Sequence, residues 1–318
     1  MPHTIRFAAL LAILGLTLAP GAHALVGGTV DDNIASSPWA GVVSITPTTG
    51  GAVYSGALLD RYHVLTAAHV AASFSSDPSK LKVNINGAGN LTQQLVASHI
   101  FVHPDYSTGN LPNDNTFAWN DDIAVIRLAE PAAANVPVYA LFNGTPGLGG
   151  VTTAFTMVAY GGYSDGVSTT LQQGSNAAVK RVGQNRVTGL YAADDEGHGA
   201  PPNVAEGFVF AFDAPGTAGA VDHEAGYAGG DSGSPIFINV NGAWRIAGVG
   251  AFNGNPSNVP GGAIQFGAVG GGMLIAPYAQ WIQTQMTSPV PEPKTYALLL
   301  VGLGLVTLAA RRRRSTTA

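Results

Sequence analysis

The residues with the clearest chemical potential are a serine, a histidine and an aspartate, each inside a short motif. Ser232 lies in the run Gly-Gly-Asp-Ser-Gly-Ser-Pro at 229–235. Upstream, His69 ends the run Thr-Ala-Ala-His, and Asp122 directly precedes the apolar run Ile-Ala-Val-Ile. A serine hydroxyl becomes a good nucleophile when an imidazole accepts its proton and a carboxylate orients that imidazole. These residue types therefore predict nucleophilic acyl transfer.

The chain order His, Asp, Ser and the residues around each motif resemble the chymotrypsin/trypsin family of serine proteases. The resemblance implies that His69 is the general base and then the general acid, that Asp122 orients it, and that Ser232 attacks the scissile carbonyl. It also implies an oxyanion hole built from the backbone amides of Gly230 and Ser232. The alternative is a glycine turn, a core histidine and a surface aspartate. An unpaired charge at the start of a buried strand is costly, which disfavours that alternative.

Residues 1–24 have the pattern of a secretory signal peptide. A single arginine precedes a short apolar run, and Ala-His-Ala at 22–24 fits the cleavage site. A cut there would expose Leu-Val-Gly-Gly, which resembles the N-terminus of activated family members. The resemblance implies that the Leu25 amine pairs with Asp231 and that signal peptidase makes the activating cut. The alternative is an ordinary strand that begins after the signal.

The C-terminal residues 287–318 combine a proline-rich linker, an apolar run and a basic end. Pro-Glu-Pro at 291–293 is followed by the apolar run 296–310 and by four arginines at 311–314. This pattern resembles the PEP-CTERM sorting signal and implies removal of the tail by an exosortase-type membrane enzyme. The apolar run is near the short limit for a membrane helix, and the arginines would hold its end in the cytoplasm. A tail that stays attached as an anchor is the alternative.

Composition indicates an exported, soluble body without a nucleic-acid partner. Residues 25–290 contain 8 Lys and Arg against 18 Asp and Glu, a net charge of about −10. Cysteine is absent, although an oxidising compartment would permit disulfides. The resemblance places Tyr54 and Val70 at the positions of a usual disulfide beside the catalytic histidine. Packing must therefore replace the few kcal/mol that such a bridge contributes.

Short apolar runs separated by Gly, Pro, Asn and Asp predict an all-β fold. The candidate strands are residues 41–45, 52–59, 63–67, 81–85, 123–128, 155–160, 208–212, 235–239 and 244–251. One helix is predicted over residues 278–286. The resemblance implies two six-stranded antiparallel β-barrels followed by this C-terminal helix. It assigns residues 25–286 to the protease domain and leaves a short C-terminal transmembrane segment.

The resemblance also places the primary specificity pocket. Gly226 falls at the base of the pocket, and Ala251, Phe252 and Asn253 fall on its wall. A preference for Arg or Lys needs a carboxylate at the base. The glycine therefore predicts small or apolar side chains before the cleaved bond. Ala251 also stands where the family commonly has a serine that donates a hydrogen bond to the catalytic aspartate.

Other polar stretches give weaker hypotheses. Asn113, Asp114 and Asn115 with Asp121, or the acidic run 194–196, could supply oxygen ligands for calcium. Neither has the spacing of a calcium loop. Solvated acidic loops are the favoured interpretation, so no metal or other cofactor is expected. The stretch 185–224 has no clear counterpart in the family, and it is either a substrate-shaping loop or a tolerated insertion.

Together these features predict an exported serine endopeptidase that hydrolyses protein or peptide substrates through an acyl-enzyme. We expect it in the periplasm, at the cell surface or outside the cell, held transiently or permanently at the membrane by its tail. A catalytically weak homologue that acts by binding is the alternative class, which the altered pocket wall leaves open. Esterase activity by the same catalytic residues is chemically expected and would not contradict the prediction of a protease.

Overall fold

The computed structural model shows short β-strands and two short α-helices. The described residues are 25–87, 90–110, 117–147, 153–172, 174–192, 205–254, 264–288 and Leu303. The predicted signal peptide lies outside them, and so does the predicted membrane segment apart from Leu303. Among the described residues, no helix is long and apolar enough to cross a membrane.

The strands are numbered in chain order. The first nine are β1 Thr29–Val30, β2 Val42–Pro47, β3 Tyr54–Leu58, β4 His63–Thr66, β5 Leu81–Gly87, β6 Asn90–Val102, β7 Ser107–Asn110, β8 Phe117–Asn120 and β9 Ala124–Leu128. The others are β10 Ala140–Leu141, β11 Ala154–Ala159, β12 Arg181–Arg186, β13 Gly189–Tyr191, β14 Gly207–Ala211, β15 Pro235–Val240, β16 Ala243–Gly254 and β17 Val269–Leu274. The helices are α1 Ala68–Ala71 and α2 Ala279–Thr287, with 3-10 turns at Ala72–Phe74 and Pro78–Lys80.

Six strands of the first half close into a barrel in the order β2-β3-β4-β9-β6-β5. Strand β4 is buried along its whole length, because it lies between two neighbours and faces the apolar core. It runs antiparallel to β9, with Thr66 opposite Ala124. The chain that leaves β4 and the chain that enters β9 therefore meet at the same end of the barrel. The sequence places His69 and Asp122 on these two segments.

Among the described residues, the second half forms a nine-stranded sheet in place of the second closed six-stranded barrel that was predicted. The strand path is β1-β12-β11-β15-β16-β17-β14-β13, with β10 beside β16. The outer edge of β12 bonds to the segment 223–225 instead of pairing with β14. Gln184 N donates to His223 O at 2.8 Å, and Gln184 O accepts from Ala225 N at 2.9 Å. The Asn185 side chain links β12 to β14 and to this segment, because its Nδ2 donates to Ala211 O and to Ala225 O, each at 2.9 Å.

All nine predicted strands coincide with observed strands, with ends that differ by up to three residues. Helix α2 lies one residue later than predicted. The stretch 185–224 contributes the end of β12 and the whole of β13 and β14 to the sheet. Its two ends meet, because Asn185 Nδ2 donates to Glu224 Oε1 at 2.9 Å. The acidic run 194–196 lies outside the described residues.

Packing and a polar contact hold the two halves together without a disulfide. Val70 is fully buried and Tyr54 packs against the same core, at the positions where the resemblance places a bridge. Tyr160 is fully buried between the halves. Its hydroxyl accepts from Asn86 Nδ2 at 2.8 Å and donates to Val42 O at 3.1 Å. Because buried polar groups need partners, these bonds fix the register between the halves.

Candidate active site

His69 and Asp122 form a tightly bonded pair at the end of the barrel. His69 lies in α1, directly after β4, and Asp122 is fully buried just before β9. His69 Nδ1 is 2.7 Å from Asp122 Oδ2, and the backbone N–H of His69 donates to Asp122 Oδ1 at 2.8 Å. The carboxylate thus holds the ring and the backbone together. With Nδ1 engaged in this way, Nε2 is left to accept a proton.

Tyr106 lies close to the His69–Asp122 pair. Burial, and after it the negative charge of Asp122, raises the pKa of Tyr106 to about 12. A nearby anion makes it harder for the phenol to ionise. Tyr106 therefore stays neutral beside the pair throughout the physiological pH range.

The Ser232 turn packs against the end of β4. Ser232 O accepts from Ser55 N at 2.9 Å, which ties the turn to β3. Gly233 has φ +81°, and a side chain there would run into Thr66 Oγ1. Only glycine allows the turn to approach β4 this closely. Because Thr66 is three residues before His69, the turn brings the serine and histidine segments side by side.

The backbone of the same turn presents two N–H groups. Gly230 has φ +95°. On either side of Ser232 the amides are engaged, since Asp231 N donates to Ala228 O at 3.1 Å and Ser234 N donates to Asp231 O at 2.9 Å. Within the described part of the chain, the N–H groups of Gly230 and Ser232 donate to no protein acceptor. Two such donors close together suit a developing oxyanion.

Asp231 is buried beneath this turn, where backbone donors surround its carboxylate. Gly161 N donates to Oδ1 at 2.8 Å and Ala228 N donates to Oδ2 at 2.7 Å. The Leu25 backbone N–H is a third donor. Burial raises the pKa of Asp231 to about 7, against the lowering effect of these donors and of the nearby Arg181. The carboxyl is therefore short of positive charge.

The segment after Leu25 is inserted into the second sheet. Leu25 and Val26 are fully buried. Val26 exchanges two backbone hydrogen bonds of 3.0 Å with Gly226. Gly28 lies against Val182 of β12 and has no room for a side chain. The sequence-predicted partners Leu25 and Asp231 are thus brought together.

The predicted specificity-pocket residues fall on two segments that flank the Ser232 turn. A side chain at Gly226 would have its Cβ 2.9 Å from the ring of Phe212, so that ring covers the base. On β16, Ala251 is buried, Phe252 is half-buried and Asn253 is exposed. The register between β16 and β17 shifts at this point. Such a bulge re-aims the side chains that follow it.

The acidic side chains near Gly226 in sequence do not provide a free carboxylate at the base. Glu224 Oε1 accepts from Asn185 Nδ2 and from Asp213 N, and Oε2 accepts from Val221 N. Asp222 is exposed. Phe212, which lies against Gly226, is apolar and buried.

Residues 113–115, which the sequence grouped with Asp121 as possible calcium ligands, lie outside the described residues. The Asp121 carboxylate is buried, 3.6 Å from His103 Nδ1. Sequence reasoning missed this contact and the role of Ser55 in anchoring the turn. The motif His-Pro-Asp-Tyr at 103–106 could have indicated the contact of His103 with Asp121. No local pattern marks Ser55, because its contact joins segments 177 residues apart.

Comparison with known proteins agrees with this geometry. The trypsin family profile matches residues 26–269, and the PEP-CTERM protein-sorting motif matches residues 289–314. The chain is 29% identical over 266 residues to the inactive CLIP domain-containing serine protease A3 of Aedes aegypti, covering 79% of this chain and 49% of that protein. It is 36% identical over 80 residues to the complement C1s-1 subcomponent of Mus musculus, covering 24% and 11%.

A bovine complement C1s subcomponent is 31% identical over 102 residues, covering 30% of this chain and 12% of that protein. The chain thus spans about half or less of the length of these relatives. The family profile covers most of the chain and both halves of the fold. The chain therefore belongs to the trypsin family.

Proposed function

We propose that this protein is an active, exported serine endopeptidase. The observation that carries the proposal is the His69–Asp122 pair facing a glycine turn with two uncommitted N–H groups around Ser232. That arrangement has each group which acyl transfer needs: a nucleophile, an oriented base and oxyanion donors.

The reaction follows from these groups. As Ser232 Oγ bonds to the scissile carbonyl carbon, its proton passes to His69 Nε2, and Asp122 stabilises the imidazolium. The carbonyl oxygen becomes an oxyanion that accepts from Gly230 N and Ser232 N. The C–N bond then breaks, and His69 returns the proton to the leaving amine. A water molecule repeats the sequence on the acyl-enzyme and releases the acid.

The substrate preference that we propose is for small or apolar side chains before the cleaved bond. The support is the apolar floor under Gly226, where Phe212 lies and where Glu224 is already bonded. A buried Arg or Lys side chain would find no free carboxylate among these residues. Because burying an unpaired charge is costly, an Arg or Lys side chain before the cleaved bond is excluded.

We further propose that maturation joins export to activation. Residues 1–24 would be the signal peptide, residues 25–286 the catalytic domain and residues 287–318 the sorting tail. Cleavage before Leu25 would place a free amine where a backbone donor already reaches Asp231. The PEP-CTERM motif implies export and association with the cell surface or membrane. An exosortase-type enzyme would then remove the tail.

The second candidate is a catalytically weak homologue that acts by binding. Two observations favour it: a relative that aligns with 79% of the chain is named inactive, and Ala251 lacks a hydroxyl that could support Asp122. The two candidates make opposite predictions for covalent labelling of the serine.

The test is labelling of the mature protein, starting at Leu25, with a fluorophosphonate probe, followed by cleavage profiling on a peptide library. We expect labelling that Ser232→Ala abolishes and that Ser234→Ala, two residues away in the same turn, retains. Loss of the nucleophile should reduce peptide hydrolysis by about 10³-fold or more. A wild-type protein that is folded yet takes no label would establish the binding alternative.

A further inference from the structure

The backbone around Asp122 is an unusual turn. Asp121 has φ +48°, a left-handed conformation that non-glycine residues rarely adopt. Ile123 N donates to Asp121 O at 2.7 Å, which closes a three-residue turn centred on Asp122. This turn aims the Asp122 carboxylate at His69. A conformation of this kind persists only where the surroundings hold it.

The side chain of Asp121 is enclosed by His103 and Tyr278. His103 Nδ1 lies 3.6 Å from Asp121 Oδ1, which is too long for a hydrogen bond. The hydroxyl of Tyr278, which donates to Met273 Sδ at 3.9 Å, lies near the same carboxylate. His103 is itself fixed, since its N–H donates to Ile123 O at 3.1 Å. Its ring meets the edges of Tyr278 and Trp281, with centroids 5.2 and 4.9 Å apart. Asp121 is only 7% exposed.

Two consecutive carboxylates therefore face in opposite directions. Asp122 bonds to His69 in the site, and Asp121 lies beside His103 and the start of α2. We infer that Asp121 is a positioning residue for Asp122: its carboxylate, packed against His103 and Tyr278, maintains the left-handed turn that aims Asp122 at His69. The inference rests on the proposed function for its catalytic consequence, but not for its geometry.

His103 supplies no positive charge to this region near neutral pH. Burial lowers the pKa of His103, and the nearby Asp121 and Asp105 only partly oppose this. The imidazole is therefore neutral. Burial and the carboxylates of Asp121 and Glu206 raise the pKa of Tyr278, so its hydroxyl remains a donor. The titratable groups facing this region are His103, Asp105 and Tyr106 after β6, Tyr278 at the start of α2, Tyr191 and Glu206 beside β14, and Asp122 itself.

Three variants separate the contributions of backbone, acceptor and charge. Asp121→Gly permits the left-handed backbone but removes the acceptor. Asp121→Asn keeps an acceptor oxygen but removes the charge. Asparagine also tolerates the left-handed conformation. Tyr278→Phe removes the donor. Asp60→Asn is the matched control, because Asp60 also contacts a histidine, with Oδ2 2.8 Å from His63 Nδ1, at the opposite end of β4 from His69.

We expect Asp121→Gly to lower kcat by about 10- to 100-fold with KM nearly unchanged, because a misaimed base is costly. Tyr278→Phe should move kcat in the same direction. Asp121→Asn should keep kcat within about threefold. It should shift the acid limb of the kcat/KM profile to lower pH by about half a unit, since a negative charge near the base is lost. Asp60→Asn should change neither quantity.

A second readout does not depend on turnover. The proton NMR signal of His69 Nδ1–H reports its hydrogen bond to Asp122, and it can be recorded in a Ser232→Ala background. We expect Asp121→Gly to shift or broaden this signal and Asp121→Asn to preserve it. An unchanged signal together with an unchanged kcat in Asp121→Gly would overturn the inference.

If Asp121→Gly does not fold, Asp121→Asn and Tyr278→Phe test the positioning role of Asp121. An unmoved acid limb in Asp121→Asn together with an unchanged His69 signal in Tyr278→Phe would then overturn the inference. Failure of the proposed function is recognised separately, because the wild-type protein would show the His69 signal but take no fluorophosphonate label.

Discussion

Asp231 and Asp122 are buried carboxylates on opposite sides of Ser232, and the structure satisfies them differently. Asp122 has its hydrogen bonds from His69, on the ring and on the backbone. Asp231 is surrounded by backbone donors, and burial nevertheless raises its pKa to about 7. A free Leu25 ammonium group would supply the missing positive charge.

This difference predicts a pH dependence of stability. A carboxyl whose pKa is higher in the folded state, here about 7 against 3.8, stabilises the fold at low pH. That contribution is lost as the pH rises from about 4 to about 7, at up to about 1.4 kcal/mol per unit. An N-terminally extended chain should therefore lose thermal stability over this window, whereas the chain beginning at Leu25 should lose much less.

The measurement is Tm at pH 5 and pH 7.5 for the Ser232→Ala protein, starting at Leu25 or carrying one extra alanine. We expect the Tm difference between the two forms to grow with pH. Asp231→Asn in the extended form is the control and should remove that growth. A Tm difference independent of pH would show that the Leu25 amine does not pair with Asp231.

At the scale of elements, the segment 223–226 is shared between two tasks. It bonds to β12 at the edge of the second sheet, and it pairs with Val26 through Gly226. Gly226 also packs against Phe212 of the chain that follows β14. Since we propose Gly226 as the base of the specificity pocket, a substitution there should affect both specificity and stability.

We predict that Gly226→Ala destabilises the fold by about 1–3 kcal/mol, because its Cβ would lie 2.9 Å from the Phe212 ring. Gly229→Ala is the matched control, since a Cβ there meets no atom within 4 Å. Chemical denaturation of both variants measures the difference. Equal free energies of unfolding would mean that the pocket base has room for a larger residue, and that the apolar floor does not limit the substrate.

The elements that the sequence predicted were those with apolar runs. The sequence analysis did not predict strands β6, β12 and β17, and the reason differs from one strand to the next. Strand β6 alternates apolar residues with Thr, Gln and Ser, and β12 is mostly polar. Strand β17 contains three consecutive glycines, which favour turns in isolation. Here they are required, since a side chain at Gly271 would meet the ring of Phe252 on the neighbouring strand.

The candidate site likewise contains residues that local motifs predict and contacts that they do not predict. The residue types at His69, Asp122 and Ser232 lie in local motifs, so the sequence could suggest them. The contacts of Ser55 with the Ser232 turn and of Tyr278 with Asp121 join segments far apart in the chain. Those contacts depend on the closed barrel and on the docking of α2, which no local pattern contains.

At the scale of the whole molecule, α2 ends at Thr287, and the matched sorting motif begins at residue 289. The last described helix therefore ends before the sorting motif begins. We predict that, in the native host, the mature protein ends near residues 291–293 and is recovered outside the inner membrane. Mass spectrometry of the surface and secreted fractions would detect this C-terminus.

Removing residues 287–318 from the gene provides the control for this prediction. The truncated protein should keep its probe labelling but lose surface retention. Recovery of the arginine-rich peptide 311–314 still joined to the catalytic body would make the tail a permanent anchor instead.

Strand β1 pairs with β12, with Thr29 opposite Val182. Contacts between segments so distant in sequence form slowly, because the intervening chain must first be ordered. In the maturation that we propose, the chain emerges from the membrane N-terminus first, so Leu25 would stay unburied until β12 and the Ser232 turn have also emerged. The proposed cleavage site before Leu25 would remain open to signal peptidase during that interval. The Ser232 turn would gain its contact with Leu25 only when translocation of the body is finished, so the order of synthesis would delay hydrolysis until the protein has left the cell interior.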